Sequence, residues 1–405
     1  MKTFKNLLAV VALLCATSLT VLAQQQQQVN KVRGYEFTTV KANPITGIRN
    51  QGSSGTCWAF STTSFFESEA IRNGHADTSI NLSVMYSVTK NYIEKMRKFI
   101  RMDGYLNFAE GGSFEDVRHS FEDYGVVLEK DMPNLLPGEK RINFREMTAI
   151  SNGMAEGAKK AGGKVSPRFM EIYKSILETY LGKCPETTTY KGITYTPKDF
   201  VTKGLGLNMD DYVSITSFTH HPFYTTFAIE VPDNWRWDLS YNIPLDELIQ
   251  IMDNAIENGY TIAWGSDVSE TGFTRDGIGV VPDVEANEKN FVGSDQARWV
   301  GTDPNARRAQ INNLNEPGKE LTITQQMRQE GYDNKTTTDD HGMQIFGIAK
   351  DQNGTKYYMV KNSWGPAGKY KGVWYVSEAF VRYKTMNILV NKNSIPKAIR
   401  KKMGL

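Results

Sequence analysis

The stretch Asn50-Gln51-Gly52-Ser53-Ser54-Gly55-Thr56-Cys57-Trp58-Ala59-Phe60-Ser61 runs a glycine-rich loop into a thiol. The thiol opens an apolar, helix-like segment carrying Trp58, Phe60, Phe65, Phe66, Ala70 and Ile71. A cysteine in the first turn of a helix meets unpaired backbone N–H groups and the positive end of the macrodipole, both of which favour thiolate. That constrains the fold: if Cys57 is a nucleophile, a base and its orienting partner must be delivered to the N-terminal end of this one helix. Without them a lone cysteine is a small buried hydrophobe.

The answering residues lie near the other end of the chain. Asp340-His341-Gly342-Met343-Gln344-Ile345-Phe346-Gly347-Ile348-Ala349 sets a histidine at the head of a strand, and Lys356–Lys361 returns as a second strand ending in Asn362-Ser363-Trp364-Gly365. A four-residue hairpin loop pairing Ala349 with Gly354 places His341 opposite Asn362, whereas a two-residue turn on Asn353-Gly354 would put them four residues out of step. In the first register His341 takes the thiol proton and returns it to a leaving amine, and the Asn362 carbonyl holds the imidazole in the useful tautomer. Trp364 covers that hydrogen bond. Gln51, six residues before Cys57, brings an amide N–H to join the Cys57 backbone N–H on an oxyanion. Thiol, base, orienter and oxyanion donor are what acyl transfer through cysteine requires.

With 405 residues the chain exceeds one core and divides into two or three packed units. Its 47 basic and 45 acidic residues leave a formal charge of +2, which gives no electrostatic case for nucleic acid or an anionic membrane. Lys2 and Lys5 precede the apolar run Leu7–Cys15, and Val21-Leu22-Ala23 supplies a cleavage site, so residues 1–23 read as a signal peptide cut after Ala23. Lipidation at Cys15 is the alternative, opposed by the bulk of Leu14. A periplasmic or secreted protein with no membrane span after cleavage is expected, with Cys57 and Cys184 its two remaining cysteines.

Residues 24–45 form an N-terminal arm that starts as a glutamine tract, and 46–131 a helical unit with the nucleophile. In that unit Val84, Val88, Tyr92, Met96 and Phe99 follow the helical period, and Ser113 caps the next helix. Residues 132–258 read as an inserted, mainly helical segment in which Ser166-Pro167 starts a helix over 168–181 and 187–195 form a hairpin. Residues 259–405 read as β-rich and carry His341 and Asn362, with 283–317 a polar excursion. The doublet His220-His221 lacks cysteines or acids at zinc spacing, so it reads as a loop and no metal or other cofactor is expected.

The blocks around Gln51, Cys57, His341 and Asn362 resemble the papain-like cysteine peptidases. The separation of 284 positions from Cys57 to His341, with Glu110-Gly111-Gly112-Ser113-Phe114, Tyr124-Gly125-Val126-Val127 and Lys371-Gly372, is similar to the bleomycin hydrolase and bacterial aminopeptidase C branch. That resemblance implies an α+β, papain-like fold: a helical domain and an antiparallel β-barrel domain with the active site between them, enlarged by the insertion. It implies peptide substrates, catalytic Gln51, Cys57, His341 and Asn362 supported by Trp58 and Trp364, substrate contacts at Gly111, Gly112 and Met343, and assembly into homohexamers. The branch fixes the substrate amine with a terminal carboxylate on a C-terminal arm lying in the cleft. Here nine residues follow Asn393-Ser394-Ile395-Pro396, so an open cleft and endopeptidase activity form the alternative to an aminopeptidase.

Overall fold

A computed structural model describes residues 34–162, 164–284, 314 and 316–405. The expected signal peptide and most of the 283–317 excursion lie outside the described residues.

The helical half is built from α1 (Cys57–Arg72), α2 (Val84–Arg101), α3 (Phe114–Asp123), α4 (Arg145–Lys160) and α5 (Pro167–Leu181). Every residue of α1 from Trp58 to Ala70 is buried, as befits a helix enclosed on all sides. The caps expected from sequence are where they should be. Ser113 is the N-cap of α3, with its N–H donating to Asp116 Oδ2 at 2.8 Å, and Ser166 with Pro167 in the first turn starts α5. Phe65, Phe66, Val88, Met96, Phe121 and Leu177 share one apolar core.

The β half is one mixed sheet. Its strands are β1 (Phe37–Ala42), β4 (Tyr212–Thr216), β5 (Thr226–Ala228), β6 (Leu239–Asn242), β7 (Ile262–Ser266), β8 (Ile278–Gly279), β9 (His341–Asp351), β10 (Lys356–Lys361), β11 (Val373–Ser377) and β12 (Thr385–Asn391). The short hairpin of β2 (Thr188–Tyr190) and β3 (Ile193–Tyr195) stands apart. The order is β5-β6-β4-β12-β7-β9-β10-β11-β8, with β1 added to the far half of β9. Among the described residues the expected antiparallel barrel does not close. The end strands β5 and β8 are three and two residues long and do not pair with each other, and β4–β6 and β11–β8 are parallel. Helices α6 (Leu245–Glu257), α8 (Glu378–Lys384) and α9 (Lys397–Met403) pack Leu248, Phe380 and Ile399 into the sheet's own core, while α7 (Gln325–Asp333) lies against α8.

The segment 132–258 is mixed in character. It starts with α4 and α5, but from Tyr212 onward it enters the main sheet as β4, β5 and β6 and fills that sheet's core with α6. No described helix is long and apolar enough to cross a membrane.

Candidate active site

The hairpin register differs from the expected one. Ala349 faces Tyr357 because the Asp351 carboxylate accepts from the Asn353 and Thr355 backbone N–H groups at 2.9 and 2.8 Å and Gly354 turns at φ +85°. That moves β10 three residues along, which alone would turn Asn362 to the wrong face of the sheet. A bulge at Phe346, between the pairs Met359–Gly347 and Val360–Ile345, takes one residue back. The net displacement is two residues. Asn362 therefore comes beside Met343, on the same face as His341 and diagonal to it.

The two side chains meet as the chemistry needs, with His341 Nε2 donating to Asn362 Oδ1 at 2.8 Å. The same oxygen accepts from the Ser363 backbone N–H at 2.7 Å, and these two donors fix which way the amide points. An acceptor on Nε2 leaves Nδ1 with the free lone pair. Trp364 stacks on the imidazole at 4.8 Å between ring centres and is itself met edge-on by Phe273 and Trp374.

Cys57 and His341 line one cleft of about 610 Å³, which also takes in Trp58, Gly112, Asp233 and Asp339. Their meeting depends on a glycine: a β-carbon on residue 342 would lie 2.9 Å from Ser61 Oγ, 3.0 Å from Phe114 and 3.3 Å from Trp58 Cα. Gly342 thus lets β9 lie directly on the first turn of α1. Gln344, two residues on, accepts from Ser64 Oγ at 2.6 Å and donates to Ser68 Oγ at 2.9 Å, both on α1.

The loop before Cys57 is held from several sides. Glu110 accepts from the Gly55 N–H at 2.5 Å and from the Thr148 hydroxyl, while its carbonyl takes the Trp58 indole N–H at 3.1 Å and the Tyr92 hydroxyl at 3.0 Å. Buried Lys95 caps the Ala109 and Gly111 carbonyls at 2.9 and 2.6 Å. Gln51 is buried, accepts from Ser363 Oγ at 2.6 Å and donates one amide hydrogen to the Ser54 carbonyl at 2.8 Å. Its second amide hydrogen is the one available to an oxyanion.

Electrostatically the site favours neutral partners. Burial pushes the Cys57 thiol up to about 12; the Gly342 N–H on β9 and the Trp58 N–H at the helix start oppose this, and Asp339 and Asp233 add to it. Burial pulls His341 down to about 4 against the hydrogen bond to Asn362. A proton passing from Sγ to the imidazole makes two charges that stabilise each other, so thiol and imidazole titrate as a pair.

The depressed histidine has a consequence for stability. The unfolded chain protonates this residue near 6.5 and the folded protein near 4, so between those values the unfolded state binds more protons. Stability from this group is complete above 6.5 and falls as the pH drops towards 4. In His341→Gln the loss of unfolding free energy between pH 7 and pH 4.5 should be smaller than in the wild-type protein by about 2–3 kcal/mol. Urea titrations at the two pH values read this out, and equal losses would contradict it.

The structure moves two expected contacts. Met343 is in the sheet core, 1 % exposed, and does not line the cleft, because its neighbour Gly342 occupies the facing position. Gly112 lines the cleft, but Gly111 is covered: a β-carbon there would lie 2.0 Å from Asp233 Oδ2. The sequence reading missed Asp233, Asp339, Glu110 and Lys95. Only Glu110, beside the two glycines, and Asp339, next to the Asp340-His341 block, had a local signal.

His220, His221 and Glu230 are the described group of three side chains whose ligand atoms lie within 4.8 Å of one another. Both His220 nitrogens are engaged, Nε2 with Glu230 at 3.1 Å and Nδ1 with the Gln329 amide at 3.1 Å, and its ring stacks on Tyr332.

Comparison with known proteins shows the family. The sequence profile of the peptidase C1-like family matches residues 2–292 and 279–404. Aminopeptidase C of Streptococcus thermophilus is 24 % identical over 393 residues, covering 85 % of this chain and 80 % of that protein. Aminopeptidase G of Lactobacillus delbrueckii subsp. lactis is 21 % identical over 397 residues, covering 87 % and 83 %. The crystal structure of PepW from Lactobacillus rhamnosis superposes with a TM-score of 0.65 at 19 % identity, over 96 % of this chain and 92 % of that one, and shares its fold. The thiol helix, the histidine strand and the asparagine beside it thus stand in a chain that belongs to the peptidase C1-like family, as a cysteine-type peptidase.

Proposed function

We propose that this protein is an exported aminopeptidase that removes N-terminal residues from peptides through an acyl-enzyme on Cys57. Sγ attacks the scissile carbonyl carbon as its proton passes to His341 Nδ1. The Cys57 backbone N–H and the second Gln51 amide hydrogen receive the oxyanion. His341 then protonates the leaving amine, and water, deprotonated by the same imidazole, releases the acyl group. The basic and then apolar N-terminus supports export, and the relatives named above support the aminopeptidase reading.

The observation that carries the exopeptidase half is the cover over Gly111. An endopeptidase must leave the chain on both sides of the scissile bond free to run through the cleft, and here the segment 229–238 lies across one side. A free-amine alanyl coumarin amide should be cleaved with kcat/KM at least about 100-fold above its N-acetyl counterpart, a gap of about 2.7 kcal/mol. Equal cleavage of the two would establish the endopeptidase alternative.

A further inference from the structure

The segment between β5 and β6 is fixed across the cleft by contacts at successive residues. Trp235 Nε1 and Arg236 Nε donate to the two Asp116 oxygens at 2.8 and 2.7 Å, Arg236 Nη2 reaches Asn91 at 2.8 Å, and Lys98 lies 3.5 Å over the Trp237 ring. Asp238 meets His119 at 2.9 Å. This strap carries Asp233 to its place over Gly111, where the carboxylate accepts one hydrogen bond, from Asn107 at 3.3 Å. From the other wall Asp339, two residues before His341, lines the same cleft, half-buried and with no hydrogen-bond or ion-pair partner among the described residues.

The remaining acids of the cleft are engaged. Asp238 has His119, Glu115 has Arg118, and Asp340 accepts from the Ser269 hydroxyl and, at 2.9 Å, from the Val268 N–H. Among the described residues no lysine or arginine lines the cleft. Lys95, held on the Gly111 carbonyl, is the cation that acts on Asp233, and Asp339 has none. Two under-partnered carboxylates thus face a cavity that contains the nucleophile, an arrangement that costs free energy until a further cation enters.

We propose that Asp233 and Asp339 receive the α-ammonium group of the peptide substrate, so that the strap measures one residue from the chain end to Cys57. This rests on the exopeptidase reading above. A primary ammonium has three donors, enough for charge-assisted hydrogen bonds to both carboxylates. Burial agrees with the assignment, raising Asp339 to about 7, with Asp233 and Asp340 adding to it, and raising Asp233 as well. Both carboxylates also oppose thiolate formation at Cys57, so an arriving ammonium relieves them and favours the reactive sulfur in the same step.

The test compares three substrates with one leaving group: alanyl, its desamino analogue propionyl, and N-acetyl-lysyl, in the wild-type protein and in Asp339→Asn and Asp233→Asn. Each variant should lower the preference for alanyl over propionyl by about 10- to 100-fold, mainly through KM. Titration of Cys57 with a thiol-directed epoxide and circular dichroism verify that each variant is folded and carries its nucleophile. A wild-type preference for alanyl that survives both substitutions would overturn the assignment while leaving the exopeptidase reading standing. No preference in the wild-type protein would overturn both. If instead both variants lose N-acetyl-lysyl cleavage and keep the alanyl preference, the carboxylates read a basic side chain and the assignment to the α-amine falls.

Discussion

Cys57→Ala is expected to lower kcat/KM by about 10⁵- to 10⁶-fold, to near the uncatalysed rate. No other described nucleophilic side chain shares the cleft with His341 in the position of this thiol at the first turn of α1. The imidazole alone would have to activate water against a carbonyl it is not placed to reach. Stability should hardly change, because the substitution removes one sulfur that is still partly open to the cleft. Aminoacyl coumarin hydrolysis reads the loss. Intact mass after epoxide treatment reads its cause, since Cys184, half-buried away from the cleft, remains as an internal thiol control. Activity within tenfold of the parent would remove Cys57 from the mechanism.

The largest effect on stability should come from Glu67. It lies on α1 with no exposure, its Oε1 receiving the Arg49 guanidinium and the Leu82 N–H at 2.8 Å and its Oε2 the Thr46 hydroxyl at 2.5 Å. Thr46 in turn receives the Lys361 ammonium at 2.9 Å, which also donates to Ser64 at 2.7 Å. Burial pulls Lys361 down to about 8, with Glu67 opposing that pull and Arg49 adding to it. Removing the carboxylate leaves two cations facing each other out of water. Breaking a buried pair in this way costs about 3–5 kcal/mol. Glu67→Ala should show a loss of that size in urea unfolding, and Glu67→Gln, which keeps hydrogen-bonding oxygen, a smaller one. A loss below about 1 kcal/mol in Glu67→Ala would mean that solvent reaches the cluster.

What could be read from the sequence follows the range of the interaction. The caps at Ser113 and Ser166-Pro167 and the start of α1 at Cys57 depend on residues a few positions apart, and each stands in the structure. The four blocks of the site were visible because each carries its chemistry locally, and the structure brings His341 to Asn362 and to the cleft of Cys57. The hairpin register was not legible. It turns on the Asp351 carboxylate capping its own loop and on a bulge at Phe346, two errors that together preserve the face of Asn362. Met343 was misplaced because strand alternation beside a glycine decides which neighbour faces the cleft. The strap could not be foreseen at all, since Asp116 and Arg236 meet across 120 positions.

Glycine 342 and the residues around it also determine what enzymatic activity measures in this molecule. Cys57 belongs to a helix set in one apolar core and His341 to a strand that supports another. The two reactive atoms are held in register by the contact of that strand with that helix and by the hydrogen bonds of Lys361 and Ser363 beside it. A separation of about 1 Å would leave both cores packed and both halves of the site intact, and would still remove most of the rate. Turnover is therefore a gauge of the fit between two bodies, and it answers to substitutions far from the cleft in proportion to how much they tilt one against the other.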